Sequence, residues 1–245
     1  MKEINNIYFY ELDISWFPNK VGMVKTSHFY SSTYLEDTNT IHNLGTIHFR
    51  PDLIFPILIL MQYGNEYETG TRGDAKSGVE SDFLDESYTT IWGGCLISEK
   101  VKNILSGFNL PPHKYYPVKV VHEDTEIPTS KNYFHLQVLR FDYSSYVDLS
   151  QSIFSYYDKE EKKKKPLIIA NQEELAQMIF EKRTTKRFEK LVLKKEVFTQ
   201  KPYDLFLLEP FTMSHVISDN LKKAFEEKDV TGLEDFKLLP IYFDE

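Results

Sequence analysis

The chain has 245 residues, 41% of them apolar and 15% aromatic, with one cysteine and a formal net charge of -8. That length can bury a sizeable core in one large domain or two small lobes; Cys95 on its own excludes an internal disulfide, and with no CxxC or Cys/His ligand set a structural zinc site is unsupported. The surplus of acid argues against general nucleic-acid binding, which needs Lys and Arg concentrated on one surface.

The abundant Tyr and Phe favour sheets over a helical bundle. Ile7 to Leu12 reads as a first strand, followed by an irregular stretch rich in Ser, Thr and Asn up to Gly45. Leu53 to Tyr63 reads as a strand or buried segment with an end or edge at Pro56, because proline removes a ladder donor. Its apolar run, Leu53 to Met61, is too short to cross a bilayer, and the N-terminus lacks the apolar stretch of a signal peptide; a reducing cytoplasm is the expected compartment.

Gly64 to Thr90 reads as a long loop, with Gly64, Gly70, Gly73 and Gly78 set among Glu66, Glu68, Asp74, Glu80, Asp82, Asp85 and Glu86. Only Arg72 and Lys76 oppose those acids, so this is the most acidic part of the chain. Gly93 and Gly94, after Trp92, read as a tight turn.

Two passages then echo each other: Leu96-Ile97-Ser98-Glu99-Lys100-Val101-Lys102 and Val216-Ile217-Ser218-Asp219-Asn220-Leu221-Lys222. In each, an apolar pair precedes a serine suited to cap a helix, and an acid occupies the positive first turn. Apolar stripes follow at helical spacing, Val101, Ile104 and Leu105 in one and Leu221, Ala224 and Phe225 in the other. After each comes a loop and a Pro-led apolar stretch, Pro117 to Val120 and Pro240 to Phe243, which predicts two related helix-loop-strand units. Between them, Asn132 to Phe141 predicts a strand, Pro166 to Ala170 a short buried strand, and Asn171 with Glu174 a capping box. Phe188 to Phe198 fits a strand or a helix, and Asp204 to Leu208 a short strand. The run Lys162 to Lys165, preceded by Glu160 and Glu161, reads as a solvated loop.

Catalytic patterns are weak. The histidines form no HxH, HExxH or HxxxH pair, and Ser98 and Ser218 lie outside any GxSxG. His122, Glu123, Asp124 and Glu126 are the nearest approach to a metal cluster and would suit a small metal-dependent hydrolase, but their setting reads as an exposed turn. A general adaptor binding through Lys162 to Lys165 is the other alternative. No cofactor or metal is expected.

One set of motifs carries a resemblance. It comprises Trp92 with Leu96 to Val101, Tyr133 to Arg140 leading into Tyr146 to Phe154, and Asp204-Leu205-Phe206 ahead of Val216 to Phe225 and Thr231-Gly232-Leu233. With these the chain resembles a family of bacterial immunity proteins from polymorphic and contact-dependent toxin systems. The resemblance implies a non-enzymatic protein that binds the effector domain of a cognate secreted toxin; the expected mechanism of neutralisation is occlusion of that domain.

The signature residues themselves read as caps, core and turns, so the contact surface is expected in the acidic loop: Glu66, Tyr67, Glu68, Asp74, Glu80, Asp82, Phe83, Asp85, Glu86 and Tyr88, with Trp92. Acid there suits a basic toxin surface, and aromatic anchors would lengthen the residence time. The expected partner is a protein rather than nucleic acid or membrane. The expected fold is α+β, mainly antiparallel sheet with a few peripheral helices. An irregular N-terminal part, 1–90, would precede an α+β part, 91–245, within two regions or one continuous domain.

Overall fold

In a computed structural model of the chain, the described residues are 8–12, 22–26, 57–60, 79–88, 94–123, 125–139, 147–158, 161–171, 173–174, 186–194, 203–207, 215–234 and 236–243. The first strands are β1 (Phe9–Glu11), β2 (Gly22–Thr26), β3 (Leu58–Leu60), β4 (Phe83–Tyr88) and β5 (Gly94–Ser98), leading into helix α1 (Glu99–Leu105). Then follow β6 (His113–Val118), β7 (Val120–His122), β8 (Tyr133–Val138), β9 (Ile153–Asp158), β10 (Lys163–Leu167) and β11 (Lys186–Leu193). The chain closes with β12 (Leu205–Leu207), β13 (His215–Ser218), helix α2 (Asp219–Glu227), β14 (Lys237–Leu239) and β15 (Ile241–Phe243). The fold is α+β with mostly antiparallel sheet.

Among the described residues three sheets form: a seven-stranded one in the order β6-β8-β5-β4-β2-β3-β7, and two four-stranded ones, β12-β13-β1-β14 and β10-β9-β11-β15. The pairs β2 with β4, β3 with β7 and β11 with β15 are parallel. The first predicted strand is therefore β1, which lies between β13 and β14 from the far end of the chain. The segment after Pro56 forms β3, and β8 and β12 lie within their predicted ranges.

Both helices start where the sequence places them. The Ser98 hydroxyl accepts from the Val101 amide at 3.4 Å and the Ser218 hydroxyl from the Leu221 amide at 3.2 Å, with Glu99 and Asp219 in the first turns. Each cap satisfies an amide that the helix itself cannot, worth about 1 kcal/mol. Of the predicted stripes, Val101, Leu105, Leu221 and Phe225 are buried, whereas Ile104 and Ala224 are half-buried. At Asn171 the predicted cap forms, its side-chain oxygen accepting from the Glu174 amide at 2.8 Å, while the Glu174 carboxylate accepts at 2.8 Å from the amide of Ala170 and not from that of Asn171.

Apolar burial divides into three clusters. In the middle one, Leu12, Leu205 and Ile217 meet Phe83, Ile97, Leu136 and Val138 of the large sheet, together with Val101, Leu105, Leu221 and Phe225 of the helices. The Phe83 and Phe225 rings pack edge to face, 5.8 Å apart. A second cluster gathers Leu58, Leu60, Leu84, Leu96, Val118, Val120 and Tyr133. A third includes Phe9, Leu191, Leu193, Phe206, Val216, Leu239 and Ile241. Each fully buried aliphatic or aromatic side chain contributes about 1.5–3 kcal/mol.

Three sequence expectations need correction. The acidic segment is not loop throughout, since Phe83–Tyr88 is an interior strand of the largest sheet, paired on one side with β5 and on the other with β2. Strand pairing there overrides the low strand preference of Asp85 and Glu86. The lysine run is likewise not a loop: Lys163–Leu167 is the edge strand β10, and the predicted buried strand at Pro166 to Ala170 begins earlier and is largely exposed. Gly94 opens β5 instead of closing a turn. A Cβ there would lie 2.2 Å from the Leu136 carbonyl oxygen and 2.5 Å from the His135 ring, so only glycine lets β5 and β8 pair at that point.

Candidate functional site

The described part of the acidic segment, Val79 to Tyr88, is built around two carboxylates turned inward. Glu80 accepts from the Ser130 amide at 3.0 Å, the Lys131 amide at 3.2 Å and the His122 ring at 2.8 Å, and also from the Ser130 hydroxyl. Burial alone would raise its pKa, but these bonds, led by those of Ser130, hold it below the ordinary carboxylate value.

Asp82 is 1% exposed. One carboxylate oxygen accepts from the Ser98 hydroxyl at 2.9 Å and Lys131 Nζ at 3.0 Å. The other accepts from Lys100 Nζ at 3.2 Å and from the Thr231 amide and hydroxyl, both at 3.1 Å. Burial works against the charge, yet Lys131, the Thr231 amide and Ser98 outweigh it and bring the carboxyl down to about 2. Between the two acids, the Ser81 carbonyl accepts from the buried Tyr133 hydroxyl at 2.8 Å.

The chain approaches closely here as well. Gly232 has φ +91°, and a Cβ on it would lie 2.4 Å from the Phe83 carbonyl oxygen. Glycine alone tolerates both the left-handed backbone and the contact. This segment is thus a clasp that fastens the start of β4 to the α1 N-terminus, the β7–β8 turn and the connection after α2. Its carboxylates are spent on charge-assisted bonds and carry no proton to give near neutral pH.

The predicted contact residues separate accordingly. Glu66, Tyr67, Glu68, Asp74 and Trp92 lie outside the described residues. Asp85, Glu86 and Tyr88 belong to β4. Glu80 is half-buried and engaged as above. Asp82 and Phe83, expected at a surface, are interior: Asp82 is the centre of the clasp and Phe83, 1% exposed, packs in the middle cluster because it opens an interior strand.

Several of the remaining candidates also have structural partners. His122 bonds Glu80, Glu126 sits in a turn at φ 55°, and Asp124 lies outside the described residues. Among the described residues, no group of three or more His, Cys, Asp or Glu is placed to hold a metal ion. Lys163 and Lys165 pair with Glu161, and Lys164 with Glu189.

Sequence reasoning missed Lys100, Ser130, Lys131 and Thr231, whose partners lie up to 149 residues away. One signal was available. Asp82-Phe83-Leu84 and Asp204-Leu205-Phe206 both open a strand ahead of a capping serine, and the serine hydroxyl bonds the aspartate in each, Ser98 to Asp82 at 2.9 Å and Ser218 to Asp204 at 2.6 Å.

The same blocks carry the relationship to known proteins. The family described as Immunity protein family (Imm11) matches residues 72–237, more than half of the chain. The chain belongs to that family. The Imm11 match opens within the acidic segment and takes in the clasp, both capped helices and their strands up to the start of β14. Membership ties the chain to toxin immunity in general. None of the curated proteins matches it. Among the described residues, no helix is long and apolar enough to cross a membrane.

Proposed function

We propose that this Imm11 protein binds a cognate secreted toxin of a polymorphic toxin system in the cytoplasm and covers the toxin's effector domain, without catalysing a reaction of its own. The observation that carries the reading is the family match over residues 72–237, which includes most of the acidic segment. The clasp supports it physically: by holding Glu80 and Asp82 inward it fixes the root of that segment, so a partner binding there meets a pre-organised base.

The contact residues in this reading are Glu66, Tyr67, Glu68 and Asp74, with Asp85, Glu86, Tyr88 and Trp92 beside them. Asp82 and Phe83 act as supports behind them. The acids favour a toxin with a basic surface and speed encounter, while the aromatic residues set dissociation. Nucleic acid and membrane are not partners in this reading.

The test is co-purification with the effector domain encoded beside the gene, followed by titration at low and high salt. A tight complex weakened by salt is the expected outcome. No binding even at low salt overturns the neutralising role, and tight binding indifferent to salt overturns the acidic contact.

A further inference from the structure

Aligning the chain on its two capping serines reveals matches well beyond the helices. The strand order β6-β8-β5-β4 within the large sheet corresponds to β14-β1-β13-β12, the whole of one small sheet, and every neighbouring pair in both is antiparallel. The chain leaves β6 for β7, which lies parallel to β3; it leaves β14 for β15, which lies parallel to β11.

Single hydrogen bonds recur at corresponding places. The Ser98 amide donates to the Asp82 carbonyl at 2.8 Å, and the Ser218 amide to the Asp204 carbonyl at 2.8 Å. The Glu99 amide donates to the Asn132 carbonyl at 2.9 Å, and the Asp219 amide to the Tyr8 carbonyl at 3.0 Å. The Leu58 amide donates to the Lys119 carbonyl at 2.9 Å, and the Leu191 amide to the Pro240 carbonyl at 2.9 Å.

Each of the seven residues of one outer cluster has a counterpart in the other, which also contains Val147, Phe154 and Ile169. Leu58, Leu60, Leu84, Leu96, Val118 and Val120 correspond to Leu191, Leu193, Phe206, Val216, Leu239 and Ile241, and Tyr133 corresponds to Phe9. Among the strands so matched, chain order differs at one only, since the counterpart of β8, which follows β7, is β1 at the opposite end of the sequence; the edge strand β10 and the pairing of β2 with β4 are particular to one unit each.

From these matches we infer that the chain is a tandem repeat of one unit, residues 8–122 and 132–243, in which the two units have exchanged their first strands. β1 completes the sheet of the second unit and β8 completes that of the first. The aspartates then lock the units in both directions. Asp82 of the first accepts from the Thr231 amide of the second at 3.1 Å, and Asp204 of the second accepts from the Asn109 amide of the first at 2.9 Å. Their own amides donate back to the Thr231 and Asn109 carbonyls at 3.2 and 2.7 Å. The helix faces of both units share the middle cluster. This inference stands independently of what the protein binds.

Correspondence makes a sharp demand at Phe9. Its counterpart Tyr133 donates its hydroxyl to the carbonyl of Ser81, the residue before Asp82; the residue before Asp204 is Tyr203. By correspondence, the hydroxyl added in Phe9→Tyr is directed at the Tyr203 carbonyl, whereas Phe206→Tyr, at the position matching Leu84, buries a hydroxyl with no counterpart of that bond. The unfolding midpoint of F9Y is expected to stay close to that of the parent protein while F206Y lowers it clearly. Equal losses overturn the correspondence.

Strand exchange is tested separately by replacing Thr125 to Ile127 in the full chain with a protease site and cutting it. The two pieces are expected to co-elute at the size of the intact protein and to part only in denaturant. Pieces that separate on a native column overturn the exchange.

Discussion

His215 is enclosed by protein, and its Nε2 has no hydrogen-bond partner among the described residues. Burial, with His135 nearby, lowers its pKa from 6.5 to about 4. The unfolded chain therefore takes up a proton near pH 6.5 while the folded chain waits until about pH 4, so stability falls as pH drops through that window, by up to about 1.4 kcal/mol per pH unit. Urea unfolding at a series of pH values should show this slope, and His215→Leu should flatten it. Asp82 acts lower: its carboxyl, depressed from 3.8 to about 2, contributes about 2 kcal/mol above pH 4 that disappears as pH falls through about 2. Asp82→Asn should remove that increment, read as a lower urea midpoint at neutral pH. Gly94→Ala should cost more than any nearby exposed substitution, roughly 2 kcal/mol or above, because backbone and not a pliable side chain lies 2.2 Å from the added carbon. None of these three roles was legible from local sequence, since each depends on a neighbour that only the sheets bring close.

Among elements, the serine caps were the most legible features, because a cap, a first-turn acid and an apolar stripe all fall within a few residues. Ser98 and Ser218 each accept from a helix amide and donate to a carboxylate. Ser98→Ala and Ser218→Ala should each cost about 1–2 kcal/mol, measurable by denaturant unfolding. Strands β4 and β10 were illegible for one reason: their charged residues look like solvent-facing loop, and only their sheet neighbours reveal otherwise. For β10 the charge has a use, since it is the edge of its sheet, and Lys163, Lys164 and Pro166 discourage another chain from pairing there. Lys163→Val combined with Lys165→Val should leave the unfolding midpoint nearly unchanged but bring light scattering on warming to a lower temperature.

At the scale of the molecule, β4 and β5 flank residue 90 and pair directly, and β1 belongs to the same sheet as β13. The middle cluster, shared by both helices and two sheets, joins the large sheet to the sheet of β1 and β13. Equilibrium unfolding should accordingly follow one transition by far-ultraviolet circular dichroism and by hydrogen exchange in β1, β8 and β13 alike; separate transitions would indicate that the two ends of the chain fold apart. The family was legible in the sequence because capped helices and their preceding strands are local patterns. The inward use of Asp82 and Phe83 was not, as acid and aromatic residues in a Gly-rich stretch look alike whether they face a partner or a core.

The two aspartates that open β4 and β12 are reached by connections of very different length. From Leu60 to Asp82 the chain spends residues 61–81, and from Leu193 to Asp204 only 194–203, about half as many. Doubling a loop adds only about 0.6 kcal/mol to the entropy of closing it. With both ends pinned, one by β3 and one by the clasp, such a connection can lengthen, shorten or change its composition at little cost to folding. A lineage pressed to follow a changing adversary could therefore rewrite residues 61–79 repeatedly while the body that carries them, with Glu80 and Ser81 in the clasp, stays as it is.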